Sequence, residues 1–177
     1  MPSFIILALI QIAIPVKMIL DNEKIHAQGK EYRLKAKLEY PDATLSGKYI
    51  RLSYEQDKFP VEHDSIWQNG ETVFVVFKTD SSGYAVIDSL FKSKPEFTPN
   101  FVEAKIKFTQ KEDICRVYLE YPFEKFFLEE SRLSNEAMKN LRTRTESAQS
   151  VQSIIRIHSG KAAIKDILID GGSILNL

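Results

Sequence analysis

The first part of the chain is hydrophobic, and its apolar residues show neither the period of an amphipathic helix nor that of a strand. Residues 4–20 are apolar on every face of a helix, and only Gln11, Pro15 and Lys17 interrupt them. A surface helix of a soluble protein instead has one apolar and one polar face. At ~1.5 Å per residue, the run and its neighbours just cross a hydrocarbon core of ~30 Å. The pattern predicts a transmembrane anchor helix, with Lys17 near its end reaching the lipid headgroups.

Two alternatives to an uncleaved anchor follow from the same run. A cleaved signal peptide has basic residues before the run and a small-residue cleavage site after it, whereas this run leads directly into Asp21-Asn22-Glu23-Lys24. A core helix of a soluble protein stays open as a second alternative, because the run is near the lower length limit for a span. We prefer an uncleaved anchor that continues as a stalk and ends at Gly29 in a left-handed conformation. The predicted units are an anchor and stalk over residues 1–29 and a β-rich domain over residues 30–177.

The charges around the run bear on its orientation. Basic residues follow at Lys17, Lys24, Lys30 and Arg33, and none precedes the run. By the positive-inside rule, these charges favour a cytoplasmic C-terminal part.

From residue 31 the hydrophobic period changes to two. Tyr32, Leu34 and Ala36 alternate with charged residues, as in a strand with one buried and one solvated face. Asn69-Gly70 predicts a tight hairpin that leads into a strand apolar on both faces, and Asp80-Ser81-Ser82-Gly83 predicts the turn after it. The predicted strands cover residues 31–40, 46–56, 71–78, 84–91, 101–108, 114–121, 151–157 and 162–169. The last four form two predicted hairpins, with turns at residues 110–113 and 158–161.

One segment after the anchor has a helical pattern. It runs from about Asn135 to Glu146, with Ser134 as the N-cap and Leu141 on a weak apolar stripe. Short strands at hairpin spacing with one such helix favour an antiparallel architecture. The predicted fold is mainly β (α+β): an N-terminal transmembrane anchor helix, then an antiparallel β sandwich or partly open barrel with one surface helix.

Composition and charge narrow the class of protein. The 177 residues are 44% hydrophobic, enough for one domain with a core, and 24 basic residues balance 24 acidic ones. Nucleic-acid binding is therefore disfavoured, because no net positive charge draws the chain to a polyanion. Cys115 is the single cysteine, so no intrachain disulfide forms, and its apolar surroundings predict a small core residue.

Catalytic and metal-binding patterns are weak. Glu62-His63-Asp64 places an imidazole between two carboxylates, but neighbours on an extended chain point apart and no second histidine follows at metal-ligand spacing. His26 and His158 are predicted to be solvated. Ser46 and Lys48 are a poor nucleophile pair without burial of the lysine. We predict no catalytic residue, no metal site and no cofactor.

The stretch SGKYIRLSYEQ, residues 46–56, places different residues on the two faces of one strand. Leu52 and Tyr54 share a face, whereas Tyr49 and Arg51 share the other. The simpler interpretation is structural, with Leu52 and Tyr54 in the core and Gly47 in a turn. The other is a recognition groove, in which Tyr49 and Arg51 join the segment 121–127, since tyrosine and arginine often anchor interfaces.

Gly47-Lys48-Tyr49, followed by Leu52 and Tyr54, resembles the signature of the bacterial GDYXXLXY protein family. The resemblance covers the whole chain and departs at Lys48, where the family has aspartate. It implies an envelope-associated protein of unassigned activity, often encoded or fused with multi-pass membrane proteins. The resemblance therefore favours an extracytoplasmic, periplasmic domain, against the charge pattern.

The leading hypothesis is a single-pass membrane protein, held by residues 4–20, whose domain binds a multi-pass membrane protein of the envelope as an accessory subunit. One alternative is a hydrolase-like envelope enzyme that uses carboxylates of residues 123–130, including Glu129 and Glu130. A small-ligand sensor with a cavity between the sheet faces is another. The candidate binding residues are Gly47, Lys48, Tyr49, Arg51, Leu52, Tyr54, Tyr121, Phe123 and Phe126.

Overall fold

A computed structural model of the protein has a long N-terminal helix followed by strands and one further helix. It describes residues 2–39, 49–62, 66–111, 113–127 and 135–176, with the backbone alone for 2–10, 21 and 135–138. The elements are α1 (Pro2–Gln28), β1 (Lys30–Glu39), β2 (Tyr49–Tyr54), β3 (Lys58–Pro60), β4 (Thr72–Thr79), β5 (Ala85–Phe91), β6 (Phe101–Gln110), β7 (Arg116–Glu120), β8 (Lys125–Phe127), α2 (Asn135–Ser147), β9 (Val151–His158), β10 (Lys161–Ile169), β11 (Gly172–Ser173) and a 3-10 turn (Ile174–Asn176).

The strands form two antiparallel sheets. The six-stranded sheet has the order β11-β10-β9-β1-β2-β8, and the five-stranded sheet has the order β3-β7-β6-β4-β5. Every paired strand runs antiparallel to its neighbour among the described residues. The prediction of a mainly β, antiparallel fold is confirmed.

One hydrophobic core joins the two sheets. Strand β1 buries Tyr32, Leu34 and Ala36 and exposes the charged residues between them, as its period of two predicts. The other sheet contributes alternate residues in the same way, for example Val73 and Val75 of β4. The fully buried side chains with the largest volumes are Phe101, Leu34, Ile50, Leu52, Ile106, Ile155, Ile157, Ile167, Val73, Val75, Val102 and Val117.

The turn between β9 and β10 links the two sheets. Ser159 and Gly160 both have positive φ, 49° and 87°, as a two-residue hairpin of type I′ requires. The Gly160 N–H donates to the Phe101 carbonyl at 3.0 Å, and the Gly160 carbonyl accepts from the Glu103 N–H at 2.9 Å. The predicted hairpin is confirmed, and its turn also holds the first residues of β6.

Two other predicted hairpins are confirmed. Strands β4 and β5 pair around the turn at Asp80, whose carboxylate accepts the N–H groups of Ser82 and Tyr84 at 2.9 Å each. Strands β6 and β7 pair as predicted for 101–108 and 114–121.

The predicted hairpin at Asn69-Gly70 is wrong. Gly70 does lie in a turn, with φ of +80°, but the strand before it, β3, pairs with β7 instead of β4. The Gly70 N–H donates to the Ile106 carbonyl at 2.7 Å, so the turn docks on β6. A turn signal fixes the local backbone, whereas strand pairing depends on which edge of the sheet is available.

Helix α1 has the predicted extent of anchor plus stalk, but its end differs from the prediction. Gly29 is absent from the positive-φ residues of the described chain, so the predicted left-handed conformation is wrong. A Cβ at Gly29 would clash with the Ile25 carbonyl oxygen of α1 and would lie 3.1 Å from the Cβ of Arg156 in β9. Glycine is needed there mainly because the backbone passes so close to the last turn of the helix. No helix in the described part of the chain is both long and apolar enough to cross a membrane.

The remaining predictions concern α2 and the isolated side chains. Helix α2 agrees with the prediction for 135–146 and buries Leu141, whereas its predicted cap, Ser134, lies outside the described residues. Cys115 is only half-buried, in the loop before β7. His158 is half-buried, with its Nδ1 shielded from solvent, so its predicted solvation is wrong.

Candidate binding surface

Strand β2 has one buried and one outer face. Ile50, Leu52 and Tyr54 are at most 4% exposed, whereas Arg51 is exposed and Tyr49 is half-buried. The two-face assignment predicted from the sequence is confirmed. Each face therefore has to be assigned its own role.

The buried face centres on Tyr54. Its hydroxyl donates to the Phe123 carbonyl at 2.9 Å. The Ser153 hydroxyl oxygen lies 3.5 Å from the Tyr54 hydroxyl oxygen. Its ring meets the rings of Phe123 and Tyr121 edge-on, at centroid distances of 5.3 and 6.1 Å. Tyr54 thus ties β2 to the turn that leads into β8 and to β9.

The turn over residues 121–124 is held from several sides. The rings of Tyr121 and Phe123 stack at 4.9 Å, and the Tyr121 hydroxyl donates to the Gln56 carbonyl at 2.5 Å. The Leu52 N–H donates to the Glu124 carbonyl at 2.7 Å. Together these contacts fix the start of β8 beside β2.

Burial determines the protonation of both tyrosines. Loss of solvent raises the pKa of Tyr54 and that of Tyr121 well above the ordinary value of 10. The negative charges of Asp57 and Glu124 raise the Tyr121 pKa further. Both phenols therefore stay neutral hydrogen-bond donors at physiological pH, which suits a structural role and not acid–base catalysis.

The outer face of β2 continues onto β8. Tyr49 pairs with Phe127, and Arg51 pairs with Lys125. The Tyr49 and Phe127 rings are 5.8 Å apart, and the Lys125 ammonium lies 5.2 Å from the Tyr49 ring centre. Phe127 is 67% exposed. We call these four residues the outer patch: two aromatic rings and two cations on an open sheet surface.

The structure separates the predicted binding residues. Tyr49 and Arg51 lie in the outer patch, and Phe126 is half-buried opposite Ile50. Gly47 and Lys48 lie outside the described residues. The remaining four are core residues: Leu52, Tyr54, Tyr121 and Phe123.

Lys125 and Phe127 belong to the outer patch, but the sequence placed them only within the segment 121–127 and not among the candidate binding residues. They alternate with Phe126 in a Lys-Phe-Phe run. A period of two over this run places them together on the face opposite Phe126. Three residues are too few to assign a strand by that signal alone.

Glu124 is the described carboxylate of the enzyme alternative, and its geometry is that of a turn residue. Its Oε1 accepts the Tyr121 N–H at 3.0 Å. Burial raises the pKa of Glu124, while the Lys107 and Arg51 charges act in the opposite direction. This hydrogen bond to a backbone N–H explains the position of the Glu124 side chain. Glu129 and Glu130 lie outside the described residues.

Two clefts of the described surface lie away from the outer patch. One, of about 810 Å³, is bordered by β1, α2 and the start of β9. The other, of about 540 Å³, lies between the end of α1, β6 and the β9–β10 turn. Among the described side chains, no cluster of three or more His, Cys, Asp or Glu residues is suited to a metal ion. His63 and Asp64 are outside that set.

The signature strand and its partners fall inside one matched segment. The model of the GDYXXLXY protein family matches residues 11–167. The chain belongs to this family. No curated protein and no solved structure matches the chain.

In this GDYXXLXY protein the signature strand has a structural side and an accessible side. Its leucine and last tyrosine, Leu52 and Tyr54, are core residues that hold the 121–124 turn. Its first tyrosine, Tyr49, belongs to the outer patch. Of these three residues, only Tyr49 lies on the outer face of the strand.

Proposed function

We propose that this GDYXXLXY protein is a single-pass, membrane-anchored and extracytoplasmic β-rich domain that serves as an accessory subunit of a multi-pass envelope membrane protein. Residues 4–20 hold it in the bilayer, and the outer patch contacts the partner. The observation that carries the proposal is the exposure of apolar side chains along α1.

The exposed apolar residues of α1 point in every direction around the helix. Successive residues of a helix rotate by about 100°, so a continuous run covers all sides. A helix that is apolar all round needs either a protein core or lipid around it. The described side chains of this run are exposed, and lipid is the surrounding that satisfies them. The large ones are Ile12, Ile14, Val16, Met18, Ile19 and Leu20.

The end of α1 supports a domain held close to the bilayer. Ile25 is buried at 6% exposure, α1 packs against β9 and β10, and β1 begins at Lys30. Only residues 21–28, about 12 Å of helix, lie between the end of the apolar run and the end of α1, where the β-rich domain begins. A domain tethered at this distance meets membrane partners at a high effective concentration.

The chemistry of the outer patch supports contact with a loop that carries aromatic and acidic residues. Phe127 supplies an exposed ring beside the half-buried ring of Tyr49, and Arg51 and Lys125 supply positive charge. Tyrosine and arginine are enriched among residues that dominate interface energies. An extracytoplasmic loop of a multi-pass protein would provide such a partner beside the anchor.

Vesicle flotation tests the anchor. The full chain, reconstituted with phospholipid vesicles, is expected to float with them. The double variant Ile12→Lys and Ile14→Lys is expected to stay with the soluble fraction, because charges near the centre of a span oppose insertion. Glu55→Lys, on an exposed position of the domain, is the matched control and should float. Flotation of the double variant would contradict the proposal.

Cysteine labelling in intact spheroplasts tests the orientation. In a Cys115→Ser background, Ser82→Cys places one thiol in the exposed β4–β5 turn. A membrane-impermeant maleimide is expected to label it before lysis. Labelling only after lysis would place the domain in the cytoplasm, as the flanking lysines favour.

Mild-detergent purification from native membranes tests the partner. Wild-type chain is expected to bring a reproducible multi-pass protein, identified by mass spectrometry. Tyr49→Ala with Phe127→Ala should lose that companion while the free energy of unfolding changes little. Phe108→Ala, on a partly exposed ring of the other sheet, is the control. Recovery of an isolated monomer from the wild-type preparation would contradict the accessory role.

A further inference from the structure

The apolar run of α1 contains two polar groups at one residue. Gln11 carries a side-chain amide and is exposed on the helix. Pro15 lies inside the same continuous helix, four residues later. In an α-helix the N–H of residue i bonds to the carbonyl of residue i−4, and proline has no N–H. The Gln11 carbonyl therefore lacks its helical donor.

Both polar groups lie at the same depth of the proposed anchor. The run over residues 4–20 has its midpoint at residue 12, so Gln11 is next to the centre of the span. Hydrocarbon offers no hydrogen bonds, and polar groups inside a bilayer face other helices or water-filled cavities. Lys17 differs, because it lies nearer one end and its long side chain can reach the headgroups.

We propose that α1 pairs with the α1 helix of a second copy of this chain, in parallel, through Gln11. This inference rests on the proposed membrane anchoring and is independent of the outer patch. A second copy fits because it places an identical amide at an identical depth. A carboxamide both donates and accepts, so two Gln11 side chains are self-complementary across a two-fold axis.

Pro15 adds a second acceptor to the same contact. The amide NH₂ has two donors. One can reach the facing Gln11 side-chain oxygen, and the other can reach the facing Gln11 backbone carbonyl, freed by Pro15. Polar side chains that bond across helices are a known means of association in membranes. Association through this contact should therefore weaken when either the amide or the free carbonyl is removed.

Energy transfer between labelled copies in vesicles tests the pairing. Full chains with Cys115→Ser and Ser82→Cys carry donor or acceptor dyes and are diluted with lipid. Wild-type Gln11 is expected to give energy transfer that falls on dilution as a dimer dissociates. Gln11→Leu should raise the dissociation constant by about tenfold, as expected for loss of interhelical hydrogen bonds. Gln11→Asn keeps an amide and should retain part of the association.

Two further variants separate the contribution of the Gln11 backbone carbonyl from that of the neighbouring apolar side chains. Pro15→Ala restores the N–H at position 15 and should weaken association less than Gln11→Leu does. Ile12→Leu changes a neighbouring apolar residue and should leave the dissociation constant unchanged. If wild type and Gln11→Leu associate equally, or if wild type is monomeric in vesicles that it demonstrably occupies, the pairing is overturned.

Flotation of the same samples distinguishes a failure of membrane anchoring from a failure of helix pairing. If no variant floats with the vesicles, the anchoring proposal itself fails. If all variants float and energy transfer does not depend on Gln11, only the pairing fails. Reduced transfer in Gln11→Leu with undiminished flotation supports both.

Discussion

The hydroxyl of Tyr54 donates a hydrogen bond to the carbonyl of Phe123 across 2.9 Å, although the two residues are 69 positions apart. This bond joins the last residue of the signature strand to the turn that begins β8. It gives the tyrosine of the signature a structural role, since both groups are buried.

Tyr54→Phe is therefore expected to destabilise the protein. The ring stays in the core, but the Phe123 carbonyl loses its donor, and an unsatisfied buried acceptor costs about 1–3 kcal/mol. The free energy of unfolding in urea, measured for the full chain in detergent, checks this. Tyr49→Phe is the matched control, and we expect it to change the free energy by less than about 0.5 kcal/mol. Equal effects of the two changes would contradict the assignment of the two faces.

Stability should fall at alkaline pH. Burial raises the pKa values of Tyr54 and Tyr121 in the folded state, above the unfolded value of about 10. The stabilisation is fully present below about pH 10 and is lost as pH rises through and above that value. Urea midpoints between about pH 8 and pH 11 should show the loss.

Removing either hydroxyl should reduce that pH dependence. Tyr54→Phe and Tyr121→Phe each eliminate one titrating group, so each should flatten the decline by at most about 1.4 kcal/mol per pH unit. Tyr49→Phe is again the control. An unchanged slope in both variants would show that other groups cause the alkaline loss.

Gly160→Ala should destabilise more than Gly171→Ala. Both glycines have positive φ, 87° and 83°, so both substitutions strain the backbone by about 1 kcal/mol. At Gly160 a Cβ would also lie 2.8 Å from Glu103 Oε1 and 3.1 Å from Phe101 Cε2, whereas at Gly171 nothing lies within 4 Å. Thermal unfolding midpoints of the two variants measure the difference. Identical shifts would contradict the prediction, because they would mean that Glu103 and Phe101 move aside for the new methyl group at no cost in stability.

Glu124→Gln should be tolerated at neutral pH, whereas Glu124→Ala should not. Glutamine keeps an oxygen that can accept the Tyr121 N–H and removes a half-buried charge. The alanine variant leaves that N–H without its acceptor, which costs about 1 kcal/mol. Urea unfolding at pH 7 compares the three proteins.

The pH dependence of the same variants gives a second check. Because burial raises the Glu124 pKa in the fold, its protonated form is favoured there, and its contribution to stability falls as pH rises above its unfolded value of about 4.5. The advantage of Glu124→Gln over wild type should therefore shrink near pH 4. A larger advantage at low pH would reverse the assigned direction of the shift.

The long periodic segments were predictable because their own side chains fix their structure. Strand β1 alternates over ten residues, and that pattern alone specifies which face is buried. The β9–β10 hairpin was equally clear from two apolar runs around Ser159-Gly160. By contrast, β3 and β8 have three residues each and β11 has two, too few for a period to emerge. Their strand structure depends on the neighbours with which they pair.

The candidate site was predictable in part for the same reason. The alternation of Ile50 and Arg51 assigns faces to β2 from the sequence. It does not reveal that β8 lies beside β2, because that pairing joins residues about 75 positions apart. Hence Tyr49 and Arg51 were named from the sequence and the segment 121–127 was proposed as a whole to join them, whereas the pairing singles out Lys125 and Phe127. The same pairing brings Tyr121 and Phe123 into the core.

Sequence patterns alone were enough for the long N-terminal helix, the antiparallel β class, the buried sides of β1 and β2, and the family. These properties follow from local periods, turn residues and a short motif, and none needs distant contacts. The tertiary structure alone decided the division into two sheets, the pairing of β3 with β7 and the outer patch. Each depends on side chains and backbone groups that meet only after the chain has folded. Burial and hydrogen bonding then select which strand pairs with which, and the local pattern of a short strand does not contain that information.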